Sequence, residues 1–404
     1  MSPELARLIL AQICIHGCMA GMRMAAPLLA LQQGFSPAAV GVLLALFALT
    51  QVFLALPAGR LADKHGLKLP ITLSVLAACT GAGLAAAMPN FAVLCVAALL
   101  TGGATGAAVI ALQRHVGRLA SGGTQLRQVF SWLSLGPAVS NFVGPVSCGL
   151  LIDHAGHVAA DELGFRMAFL FVALLPLVSL FLVQTTRRFV PDIAPAATPG
   201  QASPKAWDLL RQPMFRRLIL VNWFLSSCWD VHTFVVPILG FQRGLSAASV
   251  GAILGALAVA ATVVRLLIPV LAAHLKEWKV IMTAMLATAA LFGIYPLLHN
   301  AWAMGICSAL LGLALGSVQP MVMSTLHQIT PPARQGEAIA LRLMTINSSS
   351  VLMPMLFGTV GAAIGVASVF WAVGAVVGLG ARAAWLLQGS ADASAAPGST
   401  VHKS

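Results

Sequence analysis

A carboxylate and an arginine, each inside a long apolar stretch, are the side chains best placed to do chemistry in this chain. Asp230 lies within NWFLSSCWDVHTF (222–234), and Arg23 lies within IHGCMAGMRMAAP (15–27). An ionisable group in lipid costs about 2.5–3.5 kcal/mol or more, so each is a candidate functional residue if these stretches cross a membrane. Apolar surroundings favour the protonated carboxyl, and a nearby arginine favours the carboxylate. We therefore predict that Asp230 takes up and releases a proton, and that Arg23 is its charge partner.

Two histidines accompany this pair. His232 follows Asp230 by two residues, and His16 precedes Arg23 by about two helical turns. An unperturbed histidine titrates near 6.5, which suits His232 to assist proton transfer. Other roles remain open at this point. Asp230 could form a structural ion pair, Arg23 could bind an anionic substrate directly, and both histidines could be hydrogen-bonded packing residues.

Further polar side chains interrupt the apolar runs. Together with His16, they are predicted to line a substrate pathway: Gln51, Asn141, Asn222, Trp223, Trp229, Gln319 and Asn347. Arg265 and Arg342 lie toward the predicted cytoplasmic side. Each could attract an anion or hold a structural position, for example by pairing with Glu337.

The composition shows which solvent surrounds these residues. The 404 residues are 59% hydrophobic and only 8% charged, and the mean hydropathy is +0.92. Soluble domains carry about 25% charged residues, so most of this chain is predicted to lie in lipid. All seven cysteines lie in apolar runs without metal-ligand spacing. They are predicted to be small buried hydrophobic residues, and no metal or cofactor is expected.

A helix needs roughly 20 apolar residues to cross the hydrocarbon core, and helices and closed barrels alone can satisfy their backbone there. Twelve runs meet this length, which predicts an all-α protein with twelve transmembrane helices. They are 6–30, 39–58, 69–88, 91–112, 128–152, 166–186, 216–239, 248–272, 280–298, 301–326, 338–360 and 362–388.

The basic residues predict the orientation. With the N-terminus in the cytoplasm, the outer loops receive only Arg166 and Arg243 of the 23 Lys and Arg residues. This asymmetry obeys the positive-inside rule and accounts for the net charge of +12 without nucleic acid. Both termini are therefore predicted to be cytoplasmic.

The chain is predicted to consist of duplicated halves. The octapeptide GFSPAAVG at Gly34 returns as GLSAASVG at Gly244, each before the second span of its half. Halves of six spans have the same orientation, so a pseudo-two-fold axis along the membrane normal relates them. The predicted boundaries are a bundle at 1–186, a cytoplasmic linker at 187–215, a second bundle at 216–388 and a disordered tail at 389–404.

The segment PAGRLADKHGLK (57–68) resembles the loop signature of the major facilitator superfamily. Its pattern residues are Gly59, Asp63, Gly66 and Lys68. Gly59 is expected to let helices approach closely, and Gly66 to permit a tight turn. The resemblance implies that this loop is a cytoplasmic latch, in which Asp63 pairs with Arg114 or with the start of span 11. The equivalent segment of the second half, VLAAHLKEWK (270–279), lacks the pattern, so the latch is predicted to be asymmetric.

The segment LGPAVSNFVGPVSCG (135–149) in span 5 resembles the glycine–proline motif of proton-exchanging exporters in that superfamily. The matching residues are Gly136, Gly144, Pro145 and Gly149. Ser140 and Cys148 stand where the family has glycine, so the match is partial. The resemblance implies a bent helix that seals one side during antiport, while an ordinary small-residue packing face remains an alternative. Span 4 lacks the arginine that such exporters often carry. The superfamily resemblance also implies that spans 1 and 7 line the central cavity and close against each other on the outer side, so Arg23 is expected to pair with Asp230 when that side is shut.

These observations predict a proton-coupled secondary transporter that works by alternating access. Export of a small organic molecule is favoured by the span 5 motif. A proton-driven importer of an organic anion is the alternative, and a non-transporting membrane sensor is a third possibility. The chain has no nucleotide-binding loop or nucleophile with its base, so an enzyme is not expected. Its predicted partners are a small-molecule substrate, protons and the bilayer, in a monomer of the bacterial inner membrane.

Overall fold

The computed structural model describes residues 3–119, 133, 135–186, 206–271, 276–330 and 335–388. Within these ranges the chain consists of helices and short connections, with no strand. The transmembrane helices are α1 (Pro3–Gln32), α2 (Pro37–His65), α3 (Lys68–Ala87), α4 (Phe91–Leu119), α5 (Leu135–His154), α6 (Glu162–Gln184), α7 (Pro213–Gln242), α8 (Ala247–Leu271), α9 (Glu277–Ile294), α10 (Ala301–Ile329), α11 (Gln335–Ile364) and α12 (Val366–Trp385).

All twelve helices are long and apolar enough to cross a membrane, which confirms the predicted fold class. The observed ends lie within a few residues of the predicted spans at most positions. Span 5 was predicted from residue 128, and its part before residue 133 lies outside the described residues.

The repeated octapeptide is a helix stop followed by a helix start. Gly34 and Gly244 both adopt positive φ, +85° and +66°, which glycine tolerates best. In each copy the residue after the glycine donates its N–H to a carbonyl five residues back: Phe35 to Ala30 and Leu245 to Gly240. This is the Schellman arrangement that ends helices. The first and seventh helices therefore end in the same way, as duplicated halves require.

The six helices of each half pack mainly on one another. In the first half α1 packs on α5 and α6, and α4 packs on α2 and α3; in the second, α8 packs on α10 and α9 on α12. The halves meet along two seams, one between α5 and α8 and one between α2 and α11. α1 and α7 face each other between these seams.

Both seams are closest at one end of the molecule, where α5 and α11 end and α2 and α8 begin. A Cβ built on Gly149 would lie 2.5 Å from the Ala247 carbonyl oxygen, and one on Gly251 would lie 2.5 Å from that of Pro145. A Cβ on Gly358 of α11 would lie 2.8 Å from the Pro37 carbonyl oxygen. The helix backbones are thus in direct contact here. We call this end of the molecule the closed end, and the predicted orientation makes it the outer end.

The predicted linker is shorter than expected at its C-terminal side. Residues 187–205 lie outside the described residues, whereas Ala206–Arg211 form a 3-10 helix. Its Leu209 is fully buried, and α7 begins at Pro213, ahead of the predicted 216. A buried leucine anchors this turn to the second half, and the remaining domain boundaries stay predictions.

Candidate functional site

Asp230 is held by two serines of the facing helix. Its carboxylate lies on α7 and is only 4% exposed. Ser349 of α11 donates its hydroxyl to Oδ2 at 3.0 Å, and Ser350 donates to Oδ1 at 3.2 Å. A buried carboxylate without such donors would be strongly unfavourable, so these hydroxyls stabilise the charge within the second half.

Arg23 acts on Asp230 from the other half without touching it. The two charges interact electrostatically, but these two residues, both described by the structure, form no ion pair. The Nε of Arg23 is buried and has no hydrogen-bond partner. The direct Arg23–Asp230 pairing predicted for a shut outer side is therefore not present in this conformation, although the closed end is tightly packed.

His16 lies on the same face of α1 as Arg23, seven residues or about two turns away. The Arg23 charge acts on its ring, and its buried Nδ1 has no partner. The first half thus presents two nitrogen-rich groups with unpartnered atoms, and the second half presents a carboxylate. This arrangement can attract a proton or a charged group between the halves.

His232 lies on a different face of α7. Residues two apart on an α-helix are separated by about 200°, so they point in nearly opposite directions. The Nε2 of His232 lies 2.7 Å from the Ser308 hydroxyl, which in turn lies 2.9 Å from the Tyr295 hydroxyl. The structure therefore places His232 inside the second half and does not bring it to Asp230. Its role in proton transfer stays a prediction.

The α7–α11 contact carries more polar groups toward the predicted cytoplasmic side. The hydroxyls of Ser227 and Ser349 are 3.1 Å apart, and Arg342 donates Nε to Asn222 Oδ1 at 3.2 Å. Arg342 is only 6% exposed, and its hydrogen bond to Asn222 keeps it within its own half. Arg265 donates Nε to the Gly316 carbonyl at 3.4 Å, a long contact. The Glu337 side chain lies outside the described residues.

The remaining predicted pathway residues are dispersed. Gln51 donates to the Phe47 carbonyl at 3.3 Å, and its Nε2 lies 3.4 Å from the Met19 sulfur. The half-buried rings of Trp223 and Trp229 pack against the apolar core. Three side chains are half-buried and form no hydrogen bond within the described ranges: Asn141, Gln319 and Asn347. Their contribution to a pathway stays a prediction.

The sequence matches the family model of the Major Facilitator Superfamily over residues 8–298 and 277–402. The chain belongs to the Major Facilitator Superfamily. No curated protein matches the sequence significantly. Family membership makes this chain a multi-pass membrane transporter and not an enzyme.

Several solved structures have the same fold as this chain although their sequence identity to it is low. A bacterial homologue of the human lysosomal transporter Spinster, inward-facing and occupied, aligns with TM-score 0.77 and 14% identity over 96% of this chain and 98% of that one. A POT family transporter in complex with a thioalcohol-conjugated peptide aligns with TM-score 0.75 and 12% identity over 95% and 96%. The nucleoside transporter NupG aligns with TM-score 0.70 and 14% identity over 96% and 99%.

The structure describes part of the superfamily loop signature. Gly66 ends α2 with φ +70°, as a tight turn requires, and Lys68 donates Nζ to the Gln184 carbonyl at the end of α6 at 2.8 Å. A Cβ built on Gly59 would meet no described atom within 4 Å, so the part of the chain that the structure describes shows no close helix approach there, and the role of Gly59 stays a prediction. The side chains of Asp63 and Arg114 lie outside the described residues, and their pairing stays a prediction.

The superfamily motif in span 5 forms packing surfaces on two sides of α5. A Cβ on Gly136 would lie 2.9 Å from the Gln12 side chain, and one on Gly144 would lie 2.7 Å from the Gly17 carbonyl oxygen. Gly149 and Pro145 instead contact α8 in the other half. One set of small residues therefore stabilises the first half and the other forms a seam. The role of this motif in antiport stays a prediction.

Sequence reasoning missed Ser349, Ser350 and Asp153. The polar run NSSS (347–350) within an apolar span was a signal for these serines, but the sequence analysis used only Asn347 from it. Asp153, at the end of α5, accepts hydrogen bonds from the backbone N–H groups of Ala247 and Ala248 in the other half. Its place near a helix end made it look like an ordinary loop carboxylate.

Proposed function

We propose that this transporter is proton-coupled and works by alternating access, with Asp230 as the site that binds the proton. The observation that carries the proposal is a buried carboxylate held by hydroxyls of its own half and facing an unpaired arginine of the other half. Any rocking of the halves changes the distance from Arg23 to Asp230. That distance alters how strongly the carboxylate retains its charge.

The proposed cycle follows from this geometry. When Arg23 approaches, the deprotonated form of Asp230 is favoured and the proton leaves. When Arg23 withdraws, burial favours the protonated form and a proton binds. Conformation and protonation are thereby linked, as coupling requires. Ser349 and Ser350 keep the carboxylate satisfied while Arg23 is out of contact. We assign His232 an assisting role at most, since its ring faces Ser308.

We further propose export of a small organic molecule by proton antiport, on the strength of the partial span 5 motif. The protein would act as a monomer in a bacterial inner membrane with both termini cytoplasmic. Proton-driven import of an organic anion is the second candidate. The unpartnered Arg23 Nε favours it, because a buried cationic donor without a partner suits an anionic ligand, and the unpartnered His16 Nδ1 can add a neutral hydrogen bond. A non-transporting sensor is a third, weaker candidate.

Proteoliposomes with an imposed pH gradient test the coupling. The wild type is screened with a panel of small organic cations and anions while an internal pH dye follows proton movement. Asp230→Asn is expected to abolish compound-dependent proton movement while binding, measured by tryptophan fluorescence, is retained. The control is Asp208→Asn, a carboxylate of the 3-10 helix paired with Arg211, which should behave as wild type. Undiminished proton movement in Asp230→Asn would remove this residue from the mechanism.

Direction is decided in cells. Accumulation of the active compound that increases when the proton gradient is collapsed supports export. Accumulation that disappears with the gradient supports the importer. Retained binding with no flux in either direction points to the sensor.

A further inference from the structure

The two halves share one hydrogen-bonded connection within the described part of the chain. The Asp153 carboxylate at the end of α5 accepts from the Ala247 N–H through Oδ1 at 3.1 Å and from the Ala248 N–H through Oδ2 at 2.6 Å. Both donors are the first residues of α8. The other seam, between α2 and α11, has packing contacts but no hydrogen bond among the described residues.

The N-terminus of α8 is incomplete without Asp153. The first four N–H groups of a helix have no partner within it. Here Ser249 donates to the Ser246 hydroxyl at 3.2 Å and Val250 donates to the Ser246 carbonyl at 3.1 Å. The first two donors are left over, and Asp153 takes both. A carboxylate is also favoured at this end of a helix by the helix dipole.

The duplicated sequence lacks the same arrangement in the first half. In GFSPAAVG the position matching Ala247 is Pro37, which has no N–H. The helix that would supply the acceptor, α11, has no Asp or Glu after Glu337. The two seams are therefore alike in packing and different in electrostatics.

We propose that Asp153 is a latch that holds the closed end shut by capping a helix of the opposite half. Separation of the halves at this end exposes two N–H groups and a carboxylate together, while the glycine contacts beside them are lost at the same time. The glycines Gly149 and Gly251 bring the backbones close enough for the carboxylate to reach across. The α2–α11 seam then acts as the unlatched side. This inference needs only the two-half architecture, so it stands or fails separately from proton coupling.

The test measures the distance between the halves at the closed end. Spin labels are placed at two exposed sites of opposite halves, Met88→Cys and Trp302→Cys, in a background lacking the native cysteines. Asp153→Ala is expected to increase the population with the closed end open by about 5- to 30-fold, without substrate or gradient. Asp153→Asn is expected to give a smaller increase because it retains one acceptor but loses the charge.

A backbone variant tests the same contact from the other side. Ala247→Pro copies the first-half sequence and removes one donor, and proline is well tolerated at the first position of a helix. It is expected to open the closed end less than Asp153→Ala does. Added to Asp153→Ala, it is expected to have little further effect, because the two changes remove the same interaction.

The matched control is Asp161, which caps α6 within one half. It accepts from the backbone N–H groups of Gly164 at 2.7 Å, His157 at 2.8 Å and Val158 at 3.3 Å, and these bonds, that from Gly164 foremost, lower its pKa. Asp161→Ala is expected to lower thermal stability and leave the distance between the halves unchanged. The latch is refuted if Asp153→Ala shifts the open population less than twofold, or if Asp161→Ala shifts it equally.

Discussion

At the scale of single residues, the central feature is a buried acid whose direct partners are neutral. Asp230 accepts hydrogen bonds from Ser349 and Ser350, and its nearest opposite charge is Arg23 on the other half. A direct ion pair within one half would fix the charge in every conformation. Neutral donors form hydrogen bonds to the carboxylate but leave its protonation equilibrium sensitive to the position of Arg23.

The serines give a prediction about pH. Removing a donor to the charged form makes the protonated form more favourable. Ser349→Ala is therefore expected to move the midpoint of proton-driven transport to higher pH, by about 0.5–1 unit for a lost bond of about 1 kcal/mol. Ser350→Ala, with the longer bond, is expected to move it less. Flux is measured in proteoliposomes over a range of external pH at a constant gradient.

A buried serine elsewhere is the control for that measurement. Ser179 donates to the Ala11 carbonyl at 2.7 Å inside the first half. Ser179→Ala should reduce stability without moving the midpoint. An unchanged midpoint in Ser349→Ala and in Ser350→Ala would mean that these hydroxyls do not set the charge of Asp230.

The sequence revealed the charged members of this site and not the neutral ones. Asp230 and Arg23 are conspicuous because charge is costly in lipid. Serines are common in transmembrane helices, and nothing in the spacing of Ser349 relates it to a residue 119 positions earlier. His232 was grouped with Asp230 by nearness in sequence, but the helix turns it toward Ser308.

At the scale of helices, glycines decide how closely two elements approach, and the consequence depends on the neighbour. Gly144 faces the backbone of α1 within one half, whereas Gly149 faces α8 of the other half. Gly305 of α10 has no neighbour within 4 Å of an added Cβ. The same substitution therefore has three different outcomes along these helices.

Three alanine variants test this distinction. Gly144→Ala is expected to lower thermal stability, because its Cβ would lie 2.7 Å from backbone atoms at Gly17 and Gly21. Gly149→Ala is expected mainly to increase the population with the closed end open, with a smaller loss of thermal stability, since the halves can separate to relieve the contact. Gly305→Ala should change neither. Thermal denaturation in detergent and the closed-end distance measurement report the two effects, and equal responses from Gly144→Ala and Gly149→Ala would contradict this assignment.

Helix positions followed from sequence much better than helix contacts. Twelve apolar runs and the glycine stops at Gly34 and Gly244 are local signals, and the structure has all of them. Which faces meet is not local. Gly59 was expected to bring helices together, but a Cβ there has no described neighbour within 4 Å. Gly251 ends the repeated octapeptide, yet nothing in the repeat shows that this glycine contacts Pro145 in the other half.

At the scale of the molecule, the duplicated halves are symmetric in path and asymmetric in charge. The helix stops match, yet Asp230 and the Asp153 latch site on α8 have no equivalents in the opposite halves. Arg23 belongs to the first half and its counterpart Asp230 to the second. The equivalent helices α1 and α7 thus carry opposite charges, which a strictly symmetric pair could not provide.

Orientation is the last prediction, and it assigns the closed end to one side of the membrane. Most Lys and Arg residues lie in the loops at the end opposite the closed end. Of the 23 Lys and Arg residues, only Arg166 and Arg243 are assigned to the loops at the closed end. The closed end should therefore face outward. A fluorescent protein fused after Ser404 is expected to fluoresce and alkaline phosphatase fused there to be inactive. Phosphatase fused after Arg243, beyond α7, is expected to be active. The reverse pattern would place the closed end in the cytoplasm and make Asp153 a latch on that side instead.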